Sequence, residues 1–135
     1  MPDLDPIEPF LRNEEPPDDT IVVVRAGPIA AAKIVEHAVR EAREHSYKGQ
    51  PMHSVSVSLT VGEWSIDELL AGPLASRSTY AQSTVLRVRQ AGLTLLPTYA
   101  SPHYDIVLES ARYDDAERLL SLFSEPKTNP HKRRR

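Results

Sequence analysis

Arg25 and His103 are the side chains in this 135-residue chain best placed to do chemistry. Arg25 closes the β-branched run Thr20-Ile-Val-Val-Val-Arg-Ala26, directly before Gly27-Pro28 and a helical pattern. A guanidinium at the carboxyl end of a buried strand, ahead of a helix N-terminus, stands where α/β folds receive anionic ligands. Pro28 withholds one N–H donor and a single glycine is not a phosphate loop, so pairing with a structural carboxylate is the competing role. His103 lies in Thr98-Tyr-Ala-Ser-Pro-His-Tyr-Asp105 and suits general acid–base work near neutral pH. Strand alternation puts Asp105 on the face of His103, where it can orient the imidazole. Arg25 and His103 are therefore the catalytic candidates.

Around them are groups suited to holding a ligand. Ser54, Ser56, Ser58 and Thr60 alternate along one strand and share a face, as a ladder of small hydroxyls or as the solvated side of a sheet. Ser54, Ser56 and Thr98 are the expected hydrogen-bonding residues, and Tyr99 and Tyr104 offer rings for stacking on a base. No Gly-x-Ser-x-Gly elbow surrounds any of these serines, which leaves a hydrolase nucleophile unsupported.

Leu69 to Tyr104 holds none of the 19 acids but carries Arg77, Arg87, Arg89, His103, eight Ser/Thr hydroxyls and three tyrosines. Guanidinium and hydroxyl groups without competing carboxylates suit phosphate. A stretch largely buried in the fold would also be poor in acids.

The net charge of −3 is divided unevenly. Residues 1–19 hold seven acids against Arg12 and five of the 12 prolines, while residues 127–135 hold five Lys/Arg and no acid. Both ends read as flexible tails, open to docking on a protein partner, around one domain at 20–126. Zero cysteines exclude disulfides and thiolate chemistry. His37 and His45 are eight apart on one helical pattern and no His-Glu-x-x-His motif occurs, so neither metal nor cofactor is expected. With no apolar run of membrane-spanning length and no signal region, the expected location is cytoplasmic.

The elements that must position these residues follow from periodicity. After strand 20–26, Ala31, Ile34, Val35, Ala38, Val39 and Ala42 form one helical stripe, with Gly49 as its stop. Strand 54–60 has period two. Ser65 with Glu68 makes a capping box for a short helix, and Thr79 with Gln82 predicts a second helix running to Gly92. Strands at 93–98 and 103–110 are joined by Tyr99-Ala-Ser-Pro102, and a last helix follows Asp114. The order β-α-β-α-α-β-β-α is a mixed α/β layer.

Arg25 on the first strand and the serine-rich later strand resemble the first two elements of ADP-ribosyltransferases. The resemblance ends there, because Glu109 falls in an expected strand and not in that family's catalytic loop. Helix 65–71, helix 79–91 and hairpin 93–110 resemble a winged helix-turn-helix, which implies nucleic-acid contacts by Arg77, Arg87 and Arg89. The leading expectation is a small protein directed at RNA or a nucleotide, a metal-independent, toxin-like enzyme using Arg25 and His103. The alternatives are a DNA-binding protein and a non-catalytic, antitoxin-like partner.

Overall fold

The computed structural model describes residues 4–27 and 29–132. The strands are β1 (Asp5–Pro6), β2 (Ile21–Arg25), β3 (His45–Tyr47), β4 (Gln50–Pro51), β5 (His53–Leu59), β6 (Thr79–Thr84), β7 (Thr94–Leu96), β8 (His103–Leu108) and β9 (Lys127–Thr128). The helices are α1 (Ala30–Glu44), α2 (Ile66–Ala71), α3 (Val85–Gln90) and α4 (Tyr113–Leu120). The fold is mixed α+β, as the sequence pattern implies. A six-stranded antiparallel sheet has the order β7-β8-β5-β2-β6-β9, and β1-β3-β4 form a small second sheet.

Register assigns the two faces of the large sheet. Val55 opposes Ile106 and Val57 opposes Tyr104, while Ser56 opposes Asp105 and Ser58 opposes His103. The first set joins Val22, Val24 and Leu59 in the main core, covered by Ala31 and Ile34 of α1 and by Ala116 and Leu119 of α4. The second set is polar and lies on the opposite face. A smaller cluster of Ile7, Met52 and Leu96, flanked by Leu11, Tyr47 and Val107, covers part of it.

Two local expectations change. Residues 79–84 form strand β6, not a helix, and pair with β2 from Ile21↔Thr84 to Arg25↔Tyr80. Unpaired, the valine-rich β2 edge would leave buried backbone groups unsatisfied, and this need overrides a weak capping signal. The helix begins only at Val85, where the Thr84 side chain accepts from the Arg87 N–H. Helix α1 stops at Glu44, and Lys48 and Gly49, at φ 51° and 78°, make the turn of the β3–β4 hairpin. Positive φ at both central residues is what a type I′ two-residue hairpin turn requires. The expected first helical residue, Pro28, is outside the described residues. The Ser65–Glu68 capping box forms as expected, with both reciprocal bonds present.

The charged ends are held against the domain where they are described. Ile7 is fully buried and its N–H donates to the Ser46 carbonyl at 2.9 Å. The Arg12 N–H donates to the Pro97 carbonyl at 2.8 Å. At the other end, β9 pairs with β6, and the buried Asn129 amide donates to the carbonyls of Leu70, Leu74 and Arg77. Residues 133–135 lie outside the described residues. Among the described residues no helix is long and apolar enough to cross a membrane.

Ile7 gives a direct measure of how firmly the acidic segment belongs to the fold. Ile7→Ala should lower unfolding free energy in urea by about 2–5 kcal/mol, the usual cost of emptying a buried isoleucine site. A segment that contributes nothing to the fold would give no change.

Candidate functional site

Strands β2 and β5 pair only at Val22↔Leu59 and Val23↔Ser58, whereas β5 pairs with β8 over six residues. Beyond Val23 the two central strands part. Helix α1 spans the gap, and His37 Nδ1 lies 2.9 Å from the Ser54 carbonyl with Nε2 3.3 Å from Ser56 Oγ. A cavity of about 380 Å³ opens here, between the end of β2, the β5 edge and α1.

Its charge is lopsided. Arg25 from β2, Lys33 and Arg40 from α1 and Arg77 from the α2–β6 connection line it, with the imidazoles of His37 and His103. Glu36 is the one acidic residue in the lining and lies 3.5 Å from Lys33. Among the described residues, none of Arg25, Arg40 and Arg77 has a carboxylate within ion-pairing distance. Burial pushes the Arg25 guanidinium below its ordinary value, and repulsion from Arg77 adds to the shift. It stays protonated at neutral pH, since arginine starts so high. Ser56 and Ser58 add hydroxyls to the wall.

Behind His103 is a buried polar relay. Thr98 Oγ1 lies 2.8 Å from His103 Nδ1 and donates to Asp105 Oδ2 at 2.7 Å, while His103 Nδ1 and Asp105 Oδ2 are 4.0 Å apart. Thr98 and Asp105 are almost fully buried. While Asp105 is ionised its carboxylate only accepts, so the single Thr98 hydroxyl proton is then committed to Asp105. Thr98 oxygen must then accept from His103, which places the proton on Nδ1. The Thr98 carbonyl, 3.3 Å from Nδ1, can also only accept and favours the same tautomer. Neutral His103 therefore keeps its lone pair on Nε2, which has no hydrogen-bond partner among the described residues. Burial raises the Asp105 carboxyl above its ordinary value, against the lowering effects of the Thr98 bond and His103.

The other expected site residues divide. Arg25, Ser56 and His103 converge on the cavity; Thr98 stands behind His103 and acts through it. Ser54 is completely buried and outside the cavity lining. Tyr104 cannot stack on a ligand. It is fully buried on the core face opposite Val57, its hydroxyl donating to Glu14 and its ring under the Arg12 guanidinium. Tyr99, by contrast, is 43% exposed and packs on His103.

Arg77 is exposed at the cavity lining, while Arg89 pairs with Asp18 at 2.9 Å and Glu15 at 3.6 Å. Arg87 is exposed on α3. With strand β6 between α2 and α3, these three arginines do not share a helix-turn-helix surface. Sequence reasoning overlooked Lys33 and His37 as site residues and left Arg40 on the solvent face. Their spacing of four and then three is the signal, since it puts all three on one helix face. Glu41, Glu44 and His45 bring ligand-type atoms within 4.8 Å of one another. Glu41 is already engaged by His45, whose Nδ1 lies 3.1 Å from Glu41 Oε2 at the end of α1.

Comparison of the chain with protein-family models, with curated proteins and with solved structures finds no match.

The raised Asp105 pKa has a stability consequence. The folded state holds this proton more tightly than the unfolded chain, so the contribution to stability is greatest below the ordinary carboxyl value of 3.8. It declines as pH rises through the folded value. Asp105→Asn keeps an acceptor for Thr98 but removes the titration. In urea unfolding from about pH 3 to pH 8, its stability relative to the unmodified protein should increase as pH rises. A difference independent of pH would contradict the assignment.

Proposed function

We propose that the cleft between β2 and β5 binds a phosphate-bearing ligand and that His103 moves a proton on it. One observation supports this reading above the others: four permanent cations and two imidazoles face one cavity with a single carboxylate, in a protein whose net charge is −3. Gathering like charges around one cleft, with Arg25 partly buried among them, opposes folding. A phosphate monoester, carrying close to two negative charges at neutral pH, would relieve that repulsion and accept several charge-assisted hydrogen bonds.

The division of labour follows from position. Arg25 and Arg77 approach from β2 and the α2–β6 connection and clamp the phosphate oxygens. Lys33 and Arg40 approach from α1. Ser56 and Ser58 hydroxyls fix its orientation. His103 Nε2, held as an acceptor by the Thr98–Asp105 relay, takes a proton from a ligand hydroxyl. The arginines stabilise the negative charge that then develops. Side chains supply all the charge neutralisation in this scheme.

Binding of inorganic pyrophosphate, followed by titration calorimetry at low salt, tests the reading. Arg25→Ala and Arg77→Ala should each weaken it about tenfold or more, the size expected for a charge-assisted hydrogen bond. Both variants should be at least as stable as the unmodified protein without ligand, since each removes a like charge. Undetectable binding, or binding indifferent to Arg25, would sink the proposal.

A further inference from the structure

We infer that the ligand is a nucleoside phosphate, with its base seated on an aromatic platform made by Tyr99 and Phe10 at the mouth of the cleft. The inference rests on the phosphate reading above and adds the chemistry of the rest of the ligand. Five large hydrophobic side chains are exposed among the described residues: Phe10, Ile29, Leu86, Tyr99 and Tyr113. Phe10 and Tyr99 touch, with ring centroids 5.4 Å apart. Tyr99 continues onto His103, at 5.7 Å between centroids. A row of three rings therefore runs from solvent to a residue that lines the cationic cavity. An exposed π surface leading into a basic cleft fits a ligand with a flat apolar face and a phosphate.

The platform is held rigidly. Tyr99 has φ 58°, a left-handed backbone that a bulky L residue adopts at a cost. Two groups maintain it: the Tyr99 N–H donates to the Phe10 carbonyl at 2.9 Å, and Arg12 donates to the Tyr99 carbonyl at 3.2 Å. The same Arg12 nitrogen also reaches the carbonyls of Thr98 and His103. One half-buried guanidinium thus bonds to the carbonyls on both sides of the platform and of His103. Glycine would meet this backbone geometry without strain, so a tyrosine here is unfavourable for stability and serves an exposed ring. Rigid rings that are already in place lose little entropy when a base stacks on them.

Calorimetry with AMP, ribose 5-phosphate and a short single-stranded oligonucleotide tests this. AMP should bind roughly tenfold tighter than ribose 5-phosphate, the contribution of one stacked base. Tyr99→Gly and Phe10→Ala should bring AMP down to the ribose 5-phosphate level and leave ribose 5-phosphate unchanged. Tyr99→Gly should also fold at least as stably as the unmodified protein, and Tyr99→Trp should retain the preference. An oligonucleotide that binds tighter than AMP would identify a strand as the source of the nucleotide; equal binding would identify the free nucleotide. Equal affinity for AMP and ribose 5-phosphate would overturn the base platform while leaving the phosphate site intact. AMP binding that depends on Tyr99 but not on Arg25 would overturn the phosphate site alone. No binding by any of the three ligands would overturn both.

Discussion

The early separation of β2 from β5 is the constraint on which the rest depends. Two paired residues join these central strands before they diverge, while on its other edge β2 stays paired with β6 along its whole length. A sheet that stayed paired would seal its own middle. By parting, it exposes an edge of β5 whose polar groups need partners, and α1 supplies one through His37. The same divergence carries Arg25 away from β5 and leaves space between them. The cavity and its positive charge are consequences of strand geometry that the main core can support only from one side.

That core occupies the Val55, Val57, Tyr104 and Ile106 face, and α1 and α4 cover it with an ordinary apolar interior. The opposite face contains serines, a histidine and an aspartate. Burying Ser54, Ser58 and Asp105 there requires each to find a partner or bear the cost of desolvation. Thr98 connects His103 to Asp105 Oδ2, while the buried Asp105 Oδ1 and Ser54 hydroxyl have no hydrogen-bond partner among the described residues. The acidic N-terminal segment also serves this face. It brings Ile7 and Leu11 over the sheet and Arg12 onto three carbonyls of the Thr98–His103 loop. The segment whose composition suggests a solvated tail is thus what immobilises the candidate catalytic loop.

What could be read from sequence was local and periodic. The alternation of β5 placed Ser56 and Ser58 on one face, and that is where they lie. Alternation likewise put Asp105 beside His103, although the contact runs through Thr98. Period alone could not say which face Tyr104 would take relative to the core, and its aromatic ring proved to be interior. The helix expected from Thr79 failed because its fate depended on β2, more than fifty residues earlier in the chain. Lys33, His37 and Arg40 were visible as a helical row, but only the divergence of two distant strands turns that row from solvent-facing to cavity-lining.

The central claim is that one anion site lies in the split of the sheet. Chemical-shift mapping of the whole protein with saturating pyrophosphate tests it most directly. The account predicts that perturbed resonances cluster on the side chains of Arg25, Arg40, Arg77 and His103. Perturbations confined to the basic stretch from Lys127 to Lys132 or to Arg87, with the cleft silent, would contradict it.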